Sequence, residues 1–377
     1  MKKVKLYIEP ASLPLTLQLL NYIKSSQDNT IIHIIAFQRL RLNTEYINKQ
    51  NTAFIYNINT GLEEKLSKMA GFVKGIRPES IEIHTNIHRE RDILFPLMKL
   101  LGAFHPPEKI SLHLYDDGSG TLIERAAIET LDSPDFDRLM EKRKQQLQAV
   151  LLGRSTREYA WNTIDNYLWH YLLETQYYFI APPRKKKTNA FYQRLEKHVI
   201  YTGFSVLDRV TPEEKTRLLN LVNFPMALYA QLEALRADPQ ALLFITSYCL
   251  DPFMAANWHQ RLLALINTLK NQGGIPPAAK VVFKGHPENK SNNDELYRAV
   301  GAQAVRIPDA IPVELLNAFG LLPARIGGEF SSTFFCADNI DVAFVILKGQ
   351  QSDKHNQVFM DIAQRYQAFD ASKLVYL

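Results

Sequence analysis

The chain opens as an alternation of short apolar runs and longer amphipathic stretches. Val4 to Ile8 reads as a strand and, after a Pro10-Ala11-Ser12 turn, Leu13 to Ile23 reads as a helix. Ile31 to Phe37, Ala53 to Ile58, Ser80 to Thr85 and Ile110 to Leu114 continue as strands, with helices over Leu62 to Val73 and Arg91 to Leu101. Near-continuous apolar strands of about five residues, separated by helical patterns, belong to a parallel sheet buried on both faces. From about residue 120 to 236 the period is helical, with a stripe of Tyr159, Trp161, Tyr167, Trp169, Tyr171, Tyr177 and Tyr178. That stripe predicts helix–helix core packing and not a ligand cage.

From Ala241 the βα rhythm returns. Strands are expected over Ala241 to Thr246, Lys280 to Lys284, Ala324 to Ile326 and Val342 to Leu347. Helices are expected over His259 to Lys270, Asp294 to Val300, Pro312 to Phe319, Ser331 to Ala337 and Gln357 to Tyr366. The pattern predicts an α/β chain of two Rossmann-like domains whose parallel sheets face an interdomain cleft. The expected division is 1–155 for the first domain and 156–356 for the second, with 357–377 packing back on the first.

Composition narrows the partners. With 44 basic and 39 acidic residues the net charge is +5, short of what a dedicated nucleic-acid binder carries. The excess suits anionic ligands or an anionic membrane surface, for which Arg184-Lys185-Lys186-Lys187 is the candidate patch; a solvated loop is the plainer reading. Two cysteines, Cys249 and Cys336, provide neither a disulfide framework nor a cysteine-rich zinc site. No run approaches the roughly 18 apolar residues of a membrane-spanning helix, and Lys5, Glu9 and Pro10 interrupt any secretion signal. The expected location is cytoplasmic, with peripheral contact at the inner membrane left open.

In open parallel sheets, ligands bind at the carboxyl ends of the strands. Four polar groups stand there. Tyr115-Asp116-Asp117-Gly118-Ser119 offers a metal ligand set, a general base or a plain Asp-Gly turn. In Phe283-Lys284-Gly285-His286-Pro287 the glycine permits close backbone approach, and His286 could donate to a leaving phosphate. Gly327-Gly328-Glu329-Phe330-Ser331-Ser332 reads as an anion site at a helix start or as an ordinary serine cap, and it is not a P-loop. Glu314, near a helix start, suits a ribose diol and equally the helix dipole. A base in one domain and a phosphate-binding set in the other favour group transfer from a nucleotide-activated donor.

At these same residues the chain resembles the bacterial multifunctional sialyltransferases of glycosyltransferase family 80. The likeness begins at Leu6-Tyr7-Ile8-Glu9-Pro10-Ala11-Ser12-Leu13-Pro14 and runs through the Asp-Asp-Gly-Ser turn, Thr211-Pro212-Glu213-Glu214 and the Lys-Gly-His-Pro turn. It ends with Glu314-Leu315, Gly320-Leu321-Leu322-Pro323 and Ser331-Ser332. The resemblance implies a GT-B fold and an inverting, metal-independent transfer of sialic acid from CMP-sialic acid to a glycan hydroxyl, with no cofactor. It implies Asp117 as base and His286 as acid or hydrogen-bond donor. Ser331 and Ser332 would hold the phosphate, Glu314 the ribose, and Lys284, Gly285 and Pro287 would shape the nucleotide pocket. The donor could instead be another CMP-linked acidic sugar or a nucleotide-diphosphate sugar, and a binding protein without catalysis is the non-enzyme alternative.

The chain departs from those relatives on the expected acceptor side. Leu250 stands at about the place of a tryptophan, Glu288 where they carry a base, and Gly120 where they carry a larger side chain. Tyr248 is then a candidate ring for stacking on the acceptor sugar.

Overall fold

The computed structural model describes residues 2–9, 11, 13–38, 42–56, 58, 60–131, 134–154, 161–180, 182, 189–202, 210–248, 252–335 and 340–377. It contains two compact units, one of Met1–Thr202 with Pro212–Asn223, the other including Phe224–Leu377.

The first unit is built on seven parallel strands: β1 (Lys3–Glu9), β2 (Ile31–Phe37), β3 (Thr52–Tyr56), β4 (Ser80–Asn86), β5 (Ile110–Tyr115), β6 (Glu174–Phe179) and β7 (Val199–Tyr201). Their order is β3-β2-β1-β4-β5-β6-β7. Alternation along the strands sends Val4, Leu6, Ile8, Ile81, Ile83, Leu112 and Leu114 to one face, where they form a core with Leu66, Val73, Leu97 and Leu101. Each such burial contributes roughly 1.5–3 kcal/mol. The other face is unlike it. There Tyr7, His33, His84, His113, Tyr115 and Tyr178 form a ladder of rings, with His84 and His113 stacked at 4.3 Å.

The second unit repeats the scheme with β8 (Leu242–Ile245), β9 (Val281–Lys284), β10 (Val305–Ile307), β11 (Arg325–Glu329), β12 (Asp341–Leu347) and β13 (Leu374–Tyr376), again parallel. Their order is β10-β9-β8-β11-β12-β13. Each sheet winds outward on both sides of its first strand. The switch points, where ligands bind, therefore fall between β1 and β4 and between β8 and β11.

The division between units differs from the expected one. The first unit reaches Thr202, because β6 and β7 complete its sheet. The aromatic stretch is accordingly not all helix. Glu174–Phe179 alternates, with Thr175, Tyr177 and Phe179 buried and Glu174 and Gln176 exposed, the period of a strand. The core-packing reading of the stripe holds for Tyr167, Trp169 and Tyr177, all fully buried; Tyr159 and the Arg184–Lys187 run lie outside the described residues. The chain end also departs from expectation. Its last strand pairs with β12, and Phe359 and Tyr366 of the helix Lys354–Tyr366 pack on Phe330 and Phe335, all within the second unit. Among the described residues no helix is long and apolar enough to cross a membrane.

Candidate functional site

In the first unit β5 delivers the aspartate pair, and the structure separates its two members. Gly118, at φ 90° and ψ −140°, turns the chain sharply from the strand end into the helix Ser119–Thr130; a side chain there would be strained. Asp116 points inward, 2% exposed. It accepts from Arg125 Nη1 at 3.0 Å and from the Ile180 backbone N–H at 2.8 Å. Burial raises its carboxyl to about 6 against the pull of Arg125. It ties β5 to the end of β6. Asp117 points outward and keeps a partly exposed carboxylate, while its backbone N–H donates to Thr121 Oγ1 at 2.9 Å.

Beside Asp117 stands His88, just beyond the end of β4. Its Nδ1 is 3.7 Å from Asp117 Oδ2, and its Nε2 is 3.0 Å from Glu124 Oε2, which also accepts from the Tyr167 hydroxyl at 3.0 Å. Burial alone opposes a charged ring, but the two carboxylates together raise His88 to about 10. The ring is thus a cation at neutral pH. Gly120 has its own reason in this geometry, since a Cβ there would meet His88 Cε1 at 3.2 Å. Glu9, at the end of β1, is buried and accepts from the Ala11 N–H and from Gln18 Nε2. Burial, and next the charge of Asp117, push its carboxyl well above the usual range.

In the second unit β9 delivers the Lys-Gly-His-Pro turn. His286 N–H donates to Thr246 Oγ1 at 3.0 Å, and the Glu288 N–H donates to His286 Nδ1 at 3.2 Å. The Tyr248 ring lies parallel to the imidazole, 5.6 Å away and 17° apart. Tyr248 therefore has a histidine partner in this structure; Leu250 and Cys249 fall outside the described residues. Glu314 sits in the first turn of the helix Val313–Ala318. It is close enough to Lys284 to favour its charge, although burial, the larger influence, lowers the lysine below its ordinary value.

Several of the expected residues have contacts of their own. Lys284 is buried and its ammonium donates to the carbonyls of Gly285 and Asp309, so it braces the strand end. The space beneath Gly285 is taken by the Asn293 side chain, 2.3 Å from where a Cβ would be. Gly327 and Gly328 belong to β11, not to an anion loop, and Cβ atoms there would collide with Phe344 at 2.7 Å and with the Ile245 carbonyl at 2.0 Å. Ser331 lies just beyond that strand, its hydroxyl 3.1 Å from Thr333 Oγ1, and Ser332 opens the 3-10 turn Ser332–Phe335. The adjoining Glu329 is buried. It accepts from the Ser247 N–H at 2.8 Å and lies 3.2 Å from Lys348 Nζ. The structure thus gathers Asp117 with His88, Glu124 and Glu9 in one unit. In the other it sets Lys284, Gly285, His286 and Pro287 at one strand end, with Glu314 near Lys284 and the serines after the next strand but one.

Sequence reading missed His88, Glu9, Glu329 and Asn293. The first three follow or end strands and were findable by the rule that polar strand-end residues face ligands. Asn293, within a helix, carried no such signal. Among the described residues one set of metal-ligating side chains converges, Glu82, His84 and His113, within 4.8 Å. Lys5 lies 3.1 Å from Glu82, Lys3 also contacts it, and the stacked imidazoles do not aim at one point. Those residues form a neutralised polar ladder.

Comparison with known proteins gives the family and the fold. The chain matches the family described as Sialyltransferase PMO188 over residues 4–371. No curated protein matches it by sequence. Among solved structures it is similar to the α/β-galactoside α-2,3-sialyltransferase of Photobacterium phosphoreum, with TM-score 0.80 and 18% identity over 100% of this chain and 98% of that one. It is also similar to the GT-B domain of a Photobacterium damselae sialyltransferase, with TM-score 0.78 and 19% identity over 99% of both chains. A third is the 2,6-sialyltransferase of Photobacterium sp. JT-ISH-224 in complex with CMP and lactose, with TM-score 0.77 and 17% identity over 100% of this chain and 78% of that one. The fold is GT-B, and the chain belongs to the bacterial sialyltransferase family described as Sialyltransferase PMO188, a family of glycosyltransferases.

Proposed function

We propose that the protein transfers sialic acid from CMP-sialic acid to a hydroxyl of a glycan acceptor, with inversion at the anomeric carbon and without a metal. The observation that carries this reading is the division of the aspartate pair. Asp116 is buried and spent on Arg125 and Ile180, whereas Asp117 keeps an accessible carboxylate beside a cationic His88.

Asp117 takes the proton of the acceptor hydroxyl as its oxygen bonds to the anomeric carbon. The bond from that carbon to the phosphate oxygen breaks, both electrons staying on the oxygen. Positive charge develops on the sugar ring and negative charge on the phosphate, so donors fixed at the phosphate act where charge appears. His286, Ser331 and Ser332 are those donors, and Glu314 holds the cytidine ribose. Lys284, Gly285 and Pro287 shape the pocket indirectly, through the turn that carries His286. The complex of the Photobacterium sp. JT-ISH-224 enzyme with CMP and lactose supports both ligand classes. The acceptor class to try first is the terminal sugar of a lipooligosaccharide.

Asp117→Ala is expected to lower kcat by about 10²–10⁴-fold while CMP binding, measured by calorimetry, stays near wild type. His286→Ala should lose turnover and also weaken CMP binding. Transfer at the wild-type rate by Asp117→Ala would remove the base, and tighter binding of UDP than of CMP would remove the donor assignment.

A further inference from the structure

His286 is held from several sides within its own unit. Besides the contact of its N–H with Thr246, its carbonyl accepts from the Asn289 N–H at 3.0 Å and from Asn293 Nδ2 at 2.9 Å. The Asn289 contact closes a tight turn over residues 286–289. That turn carries the Glu288 N–H to 3.2 Å from Nδ1. A backbone N–H can only donate, so the Nδ1 facing it is an acceptor and the ring's proton sits on Nε2.

Asn293 ties this turn to the body of the unit. It lies on the helix Lys290–Val300, is 0% exposed, and fills the space that Gly285 leaves empty. Its Oδ1 is buried and accepts no hydrogen bond among the described residues. An apolar side chain of similar size would pack there without an unmade acceptor, so packing alone does not call for an amide. The use that the geometry shows for the amide is its donation to the His286 carbonyl.

We propose that Asn293 is a positioning residue: it locks the 286–289 turn so that His286 presents Nε2–H, with Nδ1 as acceptor, to the departing phosphate. This rests on the reading of His286 as the phosphate's donor. It also says what kind of donor His286 is. The proton from the acceptor hydroxyl goes to Asp117, and the electron pair of the broken bond stays on the phosphate oxygen. CMP can then leave as the dianion that a phosphate monoester carries above a second pKa near ~6. The phosphate needs a hydrogen bond from the ring and no proton.

The test uses the full chain. In ¹⁵N-histidine spectra near neutral pH, with the His286 signals assigned by their loss in His286→Gln, Nδ1 is expected to be pyridine-like and Nε2 pyrrole-like. Asn293→Leu, which keeps the branching of the side chain and removes the donor, is expected to lower kcat by about 10–100-fold with KM for CMP-sialic acid near wild type. His286→Gln, which retains a neutral N–H donor, should keep more turnover than His286→Ala. Wild-type kcat in a folded Asn293→Leu, or an imidazolium or the opposite tautomer at His286, would overturn the proposal. If Asn293→Leu does not fold, the spectra of the wild-type chain still decide. Unchanged turnover in His286→Ala would sink the functional reading itself. An active Asn293→Leu beside an inactive His286→Ala would sink only the positioning role.

Discussion

His88 shows how neighbours override what a residue would do alone. A half-buried imidazole loses solvation and should be neutral, yet carboxylates on two sides raise it from 6.5 to about 10. Because its folded value lies above the unfolded one, its contribution to stability is complete below about pH 6.5 and fades as pH rises through about 10. Its partial exposure discounts the magnitude to about 2 kcal/mol. His88→Asn should therefore be destabilised at pH 6 and nearly matched to wild type near pH 10, in denaturant titrations at both values. The same variant should lose about tenfold or more in kcat if Asp117 is the base proposed above, since the positioned cation beside it is gone. A constant stability gap across that range would refute the ion-pair account. The aspartate pair teaches a related lesson. Two adjacent identical residues read the same in sequence, and the Arg125 guanidinium of the following helix and the Ile180 N–H, 64 residues on, tell them apart.

At the scale of elements, hydrophobic pattern located β1, β2, β4, β5, β8, β9 and β12 to within a residue or two, because parallel strands buried on both faces are near-continuous apolar runs. It failed at β6, where Tyr and Thr alternate with polar residues and the aromatics looked helical. It failed again at β7, β10 and β13, each three residues long and visible only through its pairing with a neighbouring strand. The diglycine was misread for the same kind of reason, since its neighbours come from other strands. Gly328, at φ 130°, has the Ile245 carbonyl where a side chain would go. Gly328→Ala should cost about 2–4 kcal/mol, combining backbone strain with overpacking. It should also reduce turnover by shifting β8, whose next residue, Thr246, accepts from the His286 N–H. Chemical denaturation checks the first expectation. A stability loss below about 0.5 kcal/mol, the range of neutral surface changes, would contradict it.

The whole molecule is asymmetric in its response to acid. Burial lowers His33 and His84 to about 4 and His113 and His170 to about 3, and all four lie in the first unit. The unfolded chain binds these protons below about pH 6.5 and the folded chain only near 3–4, so their contribution is present above 6.5 and lost as pH falls. A shift from 6.5 to about 4 is worth on the order of 3 kcal/mol at a fully buried site. Glu9 and Asp116, with raised values, oppose the trend, while His105, also lowered by burial, adds to it. Hydrogen exchange between pH 7 and 4.5 should show protection lost first in residues 2–202, and equal loss in both units would contradict this.

By itself the sequence determined the fold class and which polar groups stand at strand ends as candidates for the chemistry. Burying both faces of a parallel sheet demands a local pattern, and the Asp-Asp-Gly, Lys-Gly-His-Pro and Ser-Ser groups sit next to it in the chain. Tertiary structure alone decided which aspartate keeps a partly exposed carboxylate, which nitrogen of His286 faces a donor, what fills the space under Gly285 and where the first unit ends. Each of those depends on groups from 2 to more than 60 residues away brought within hydrogen-bonding or van der Waals distance, and no local period or spacing records such contacts.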